Sequence, residues 1–178
     1  MNKIEIPLSK TKLLLGLGGS ALFVVLGLYF LTTMADQQTS FNPAILKGVG
    51  IASILFFGGT GIYGIKKMFD KTIGLTIDEN GIFDNTNASS VGLIKWTDIT
   101  AIKTEQVAST IFLLIYTANP NFYLDKEKGV KRRLLEGNNR MYGTPLSITS
   151  NTLKYNFNEL EKIINDRFYE QRERKPTV

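Results

Sequence analysis

The chain contains no Cys and no His. That removes thiol nucleophiles, disulfides, histidine bases and the usual Cys/His zinc sites from the chemistry open to it. Acid–base catalysis would then rest on carboxylates, and it needs a pair in surroundings that push their pKa values apart. Asp78-Glu79 and Asp84 stand instead among turn residues, and the C-terminal acids line a solvated helix face. Asp36 closes an apolar run without lying inside it, a poor position for a proton relay. Gly16-Leu17-Gly18-Gly19-Ser20-Ala21 has the G-x-G-x-x-A spacing of a dinucleotide loop. Such a loop follows a strand and precedes an acid about 20 residues on. Here the motif lies within an uncharged run, where glycines serve helix packing. The residue inventory predicts no catalytic residue, no cofactor, no metal site, and a chain that is not an enzyme.

Two other groups of residues could make contacts. Trp96 and Asp98 read either as a ligand or peptide contact at a strand end, or as a core Trp beside an Asp that bonds its own turn. The structural reading is favoured. Lys126, Lys128, Lys131, Arg132 and Arg133, with Arg140, form the basic cluster of the second half. Against an anionic leaflet each near-surface charge is worth about 1 kcal/mol. The alternative is a solvated face offset by Asp125, Glu127 and Glu136.

The elements that position these residues begin with two apolar stretches. No charge occurs between Lys12 and Asp36. A helix over that run is roughly 34 Å long at ~1.5 Å per residue, against a hydrocarbon core of ~30 Å. The run is apolar on all sides, unlike an amphipathic core helix, and longer than the h-region of a signal peptide. Gly48 to Ile65 is a second uncharged stretch. Asn42-Pro43 supplies a cap and a first-position Pro that start its helix earlier. Lys47 then lies about one turn inside and snorkels outward, while Tyr63, Lys66 and Lys67 anchor the far end and can touch headgroups. The expected spans are about 13–34 and 43–65, forming a hairpin over 13–67. Gly16, Ser20 and Gly27 fall on one helix face, and Gly50, Ser53, Gly61 and Gly64 on the other, small residues that allow close approach within the hairpin or between copies.

Lysines precede the first span and follow the second, so the positive-inside rule places both termini in the cytoplasm of a multi-pass inner-membrane protein. The net charge is +4 over residues 1–71 and +1 over 72–178. The basic excess therefore belongs to the membrane part, and a nearly neutral soluble part argues against nucleic acid as a partner.

Residues 1–12 are a basic lead in which Pro7 interrupts Ile4, Ile6 and Leu8. The lead either lies on the membrane surface or pairs as an edge strand with the distal domain, Pro7 disfavouring a central one. From Thr72 the pattern alternates. Leu75 to Ile77, Ile82-Phe83, 91–96, 99–107, 111–116 and 146–148 read as strands. Glu79-Asn80-Gly81 is a turn whose glycine suits positive φ, and 84–90 is a polar surface loop. Asn119-Pro120 starts a helix interrupted near Gly129, followed by a turn-rich link over 137–143. Asn156 with Glu159 is a capping box for a last helix striped by Phe157, Leu160, Ile163, Ile164 and Phe168.

Several antiparallel strands closed by one amphipathic helix outline a pleckstrin-homology-like (PH-like) domain over 72–178. The order Lys66-Lys67-Met68-Phe69, then Gly74-Leu75-Thr76-Ile77-Asp78-Glu79-Asn80-Gly81-Ile82, then Ile94-Lys95-Trp96-Thr97-Asp98-Ile99 resembles a family of small bacterial membrane proteins with two membrane helices and a PH-like domain. Asn119-Pro120 and Gly143-Thr144-Pro145-Leu146-Ser147-Ile148 fit the same pattern. The resemblance implies an α+β membrane protein and transfers no catalytic residue. The expected function is a membrane-anchored PH-like scaffold or interaction module binding a protein partner, lipid headgroups or itself. The alternative is an oligomeric channel or transporter accessory subunit built on the glycine-rich hairpin.

Overall fold

The computed structural model describes residues 2–37 and 41–173. It is α+β, with antiparallel sheets and two long apolar helices. Two compact units are present. One is Lys10–Lys71; the other joins the described residues up to Ser9 to those from Thr72 on.

In the helical unit, α1 runs Lys10–Gln37 and α2 runs Pro43–Phe69. α1 extends past its apolar stretch at both ends, and α2 past its own through Lys66 and Lys67. Each is long and apolar enough to cross a membrane, and little of either is buried against protein. The α2 start is capped as expected, Ala44 N–H donating to Asn42 Oδ1 at 2.9 Å with Pro43 at the first position. Near its end α1 widens into a π-turn over Phe30–Met34, where Thr32 Oγ1 also donates to Leu28 O at 2.9 Å. Asp36 and Lys47 meet as an ion pair at 2.9 Å, so the lysine inside α2 is neutralised within the hairpin.

The helices touch through the small residues. A Cβ added at Gly27 would lie 2.9 Å from Gly50 O, and one at Gly50 would lie 2.7 Å from Gly27 O. Ser53 Oγ donates to Phe23 O at 2.9 Å, and the Ser20 and Thr60 hydroxyls are 3.4 Å apart. Gly61 faces Ser20, and Gly64 faces Leu17. Gly16 is not used in this contact: nothing lies within 4 Å of a Cβ there. Leu17, one residue on, fills that end of the contact and needs the space Gly64 leaves. The G-x-G-x-x-A motif lies wholly inside α1, with no strand before it.

The second unit begins with β1 (Ile4–Ile6), which pairs antiparallel with β2 (Leu75–Ile77). β3 (Gly81–Asp84) and β4 (Gly92–Lys95) complete a sheet ordered β1-β2-β3-β4. The lead is thus an edge strand. It is fixed further along, Ser9 N–H donating to Thr152 O at 2.7 Å and Lys154 N–H to Pro7 O at 3.0 Å. Register sorts the side chains. Ile77, Ile82 and Ile94 line up across the sheet and are buried, as are Ile6 and Leu75 in the next inner row. Glu5, Thr76, Phe83 and Leu93 form the opposite row, where Phe83 and Leu93 stay exposed. Gly81 does not have the positive φ expected of it; its need is close approach, since a Cβ would collide with Ile94 O at 2.1 Å.

A 3₁₀ turn, Trp96–Asp98, leads into β5 (Ile99–Val107) and β6 (Thr110–Thr117). A bulge between Ile99 and Ala101 explains why the alternation slips there. β6 is central between β5 and β7 (Leu146–Ile148). Leu113, Leu114 and Ile115 are buried in succession, the mark of a strand covered on both faces. Helix α3 (Pro120–Asp125) starts at the Asn119 cap, as the sequence indicates. Helix α4 (Gly129–Tyr142) overturns the expected link over 137–143. The helix persists because Leu135 is buried and Asn138 Nδ2 reaches Pro145 O and Ser147 Oγ, so tertiary contacts outweigh the weak propensity of Gly137. It ends at Gly143, φ 75°, in the left-handed conformation that favours glycine. The 84–90 loop is tied in more firmly than a surface loop: Thr86 is fully buried and donates to Asp84, while its carbonyl accepts from Thr152. Helix α5 (Phe157–Glu173) has the expected reciprocal cap between Asn156 and Glu159 and buries Leu160, Ile164 and Phe168.

Two outcomes follow. Gly27→Leu or Gly50→Leu lowers the thermal midpoint in detergent, by the ~1–3 kcal/mol typical of overpacking, while Gly18→Leu, with nothing within 4 Å of its Cβ, leaves it unchanged. Ile6→Ala destabilises the full chain by about 2–5 kcal/mol, measured by the same melt, because Ile6 is fully buried although it precedes the helical unit.

Candidate functional site

The outward row of the first sheet opens into a groove of about 1250 Å³. Phe83 and Leu93, cross-strand partners, form one wall. Trp96 lies at its base, and the end of α5 contributes Phe168 and Arg172 on another side. The groove extends from Phe83 and Leu93 toward the 78–80 turn. Its rim mixes charge, Lys3, Lys95 and Arg172 against Asp78 and Glu79. Lys3 is ion-paired to Glu5, which raises the lysine pKa above its ordinary value. The Arg172 guanidinium carbon lies 5.5 Å from the Phe168 ring centroid, a cation–π contact at the groove's edge.

Trp96 is held, not mobile: its indole N–H donates to Asp78 O at 2.8 Å and the residue is 7% exposed. Asp78 in turn builds the turn below it, its Oδ1 accepting from the Asn80 and Gly81 N–H groups at 2.8 and 3.2 Å. Asp98 does more than bond its own turn. Oδ1 accepts from Thr97 Oγ1 at 3.1 Å, its carbonyl accepts from Ala118 N–H at 3.0 Å, and Oδ2 accepts from Tyr123 O–H at 2.8 Å. Tyr123 is 1% exposed. Burial first, and the Asp98 carboxylate second, push its pKa above the ordinary tyrosine range. Trp96 and Asp98 therefore pin the 3₁₀ turn from both sides, and Trp96 also presents a face to the groove. Tyr123 was not singled out in the sequence; the signal for it was its place just after the Asn119-Pro120 helix start, which sets α3 against the turn.

The sequence-derived lipid contacts divide. Lys131 pairs with Glu127 at 2.8 Å, and Arg132 with Glu136 at 2.7 Å and Asp125 at 3.4 Å. Lys67 pairs with Asp70 at 3.0 Å. These three are engaged with acids of the chain. Lys126 lies 3.6 Å from the Phe122 ring centroid, and Lys128 and Arg133 are exposed. Lys66, also exposed, lies in the last turn of α2.

Comparison with protein-family models, with curated proteins and with solved structures returned no match.

The Tyr123–Asp98 bond carries a pH signature. Unfolded Tyr titrates near 10, whereas the folded group holds its proton to higher pH. Its share of stability is full below the unfolded value and declines as pH rises above it. Tyr123→Phe should flatten that alkaline decline in thermal melts of the full chain. At neutral pH it costs about 1–2 kcal/mol by leaving Asp98 one hydrogen bond short.

Proposed function

We propose that this chain is a non-enzymatic, membrane-anchored interaction module. The helical hairpin spans the cytoplasmic membrane, both termini lie on the cytoplasmic side, and a PH-like domain at the inner face holds a segment of a protein partner in the groove beneath Phe83 and Leu93. The observation that carries the groove reading is a pair of exposed apolar side chains facing one another across strands beside a rigidly held Trp, with charge of both signs on the rim. Such a mixture suits a peptide with alternating apolar and charged side chains. Fold analogy supplies the PH-like name and no more.

The pairing of β1 with β2 supports the topology independently of lysine counting. β1 precedes the hairpin and β2 follows it. A chain that crosses a membrane between two strands of one sheet must come back, so both helix ends open on one side. The same pairing argues against removal of α1 as a signal segment, which would take β1 with it. The channel or transporter alternative drew on the hairpin glycines, and Gly27, Gly50, Gly61 and Gly64 are used within this one hairpin.

A photo-crosslinking residue placed at Phe83 in the full chain, in cells, is expected to capture a discrete protein, and Leu93→Asp to abolish that capture. The same probe at Val107, exposed at the far end of β5, is expected to capture none. Equal capture at Phe83 and Val107, or none at either, overturns the groove reading.

A further inference from the structure

Helix α4 carries an outward stripe that neither the sheet nor the groove uses. Val130, Leu134, Gly137 and Met141 follow one another at helical spacing and fall within an arc of about 60° at ~100° per residue. All are exposed, Val130 at 74% and Met141 at 70%. On a merely solvated helix these are the positions that polar residues occupy. Arg133 and Arg140, seven residues apart and exposed, line one flank of the stripe. The acids of this region, Asp125, Glu127 and Glu136, are taken up by Lys131 and Arg132. Among the described residues, Arg133 and Arg140 therefore face no acidic partner, and neither do Lys126 and Lys128 at the start of the helix.

We propose that this face of α4 lies on the anionic surface of the bilayer that the hairpin spans. Val130, Leu134 and Met141 enter the headgroup layer, and Arg133 and Arg140 engage lipid phosphates. The proposal rests on the membrane-spanning reading above and selects among the cations of the sequence cluster: Lys131 and Arg132 are spent on ion pairs, while Arg133 and Arg140 remain. Uncompensated cations beside an exposed apolar row are the signature of an interfacial helix. Charge complementarity favours an anionic surface, and the hairpin on the same chain keeps the domain close to one.

The chain has no cysteine, so single labelling sites are clean. Met141→Cys, carrying an environment-sensitive fluorophore, is placed in the full-length protein in nanodiscs of phosphatidylcholine alone or with phosphatidylglycerol added. In the anionic discs the emission is expected to shift to the blue, iodide quenching to fall several-fold, and a headgroup-level lipid quencher to act. In neutral discs the label stays in water. Arg133→Glu with Arg140→Glu, in the same labelled background, leaves the label in water in both kinds of disc; both positions are exposed, so the core is untouched. A Met141→Cys label equally open to iodide in the two discs overturns the proposal and leaves the face to a protein partner. A second label at Leu22→Cys, on the exposed side of α1, separates the two failures. If that label is dry while Met141→Cys is wet, only this inference fails. If it is wet, the spanning reading fails and takes this inference with it.

Discussion

The pairing of Ile4–Ile6 with Leu75–Ile77 is the contact on which the rest of the molecule depends. It joins the first residues of the chain to the first strand after the hairpin, across a sequence gap that holds both apolar helices. Loop closure over such a gap costs little more than over a short one, because the entropy grows only with the logarithm of length. The contact repays it by burying Ile6, Leu75 and Ile77 and by covering an edge of the sheet. The sheet unit is therefore not an appendage that begins after the helices. The hairpin is an insertion within it, and its two ends are constrained to meet at one sheet edge. Domain limits drawn at Thr72 by composition alone leave out the strand that completes the fold.

A second constraint fixes the groove. Trp96 lies in a short 3₁₀ turn just past the β3–β4 ladder, where its N–H still donates to Asn80 O at 3.3 Å. Here the turn is held by the indole bond to Asp78, by the Asp98 carboxylate on Tyr123, and by Ala118 N–H on the Asp98 carbonyl. Three elements from separate parts of the chain thus set the position of one aromatic ring. A rigid aromatic at the base of an open groove loses little freedom on binding, which is where much of the cost of recognition otherwise falls.

Elements governed by local chemistry were legible in the sequence. The Asn42-Pro43 start, the Asn119-Pro120 start and the reciprocal Asn156–Glu159 cap each depend on residues within three positions of one another. The apolar helices were legible from length and absence of charge. What was not legible depended on distant partners. Gly81 has a turn-like context, but its role is set by Ile94 on the neighbouring strand. Gly137 reads as a breaker until Asn138 finds Ser147. Gly16 shares a helical face with Ser20, yet which residue of that face meets α2 is decided by the register of two helices. The groove was invisible for the same reason, since its walls come from β3, β4 and α5. Trp96 and Asp98 could be singled out as residue types, while Tyr123, the partner that explains Asp98, could not.

Charge in this chain is sorted by what it meets. Asp36 neutralises Lys47 inside the hairpin, and Glu127, Glu136 and Asp125 neutralise Lys131 and Arg132 on the sides of α4. A cationic cluster counted from sequence is therefore a poor measure of a cationic surface; the measure is what remains after ion pairing with neighbouring acids.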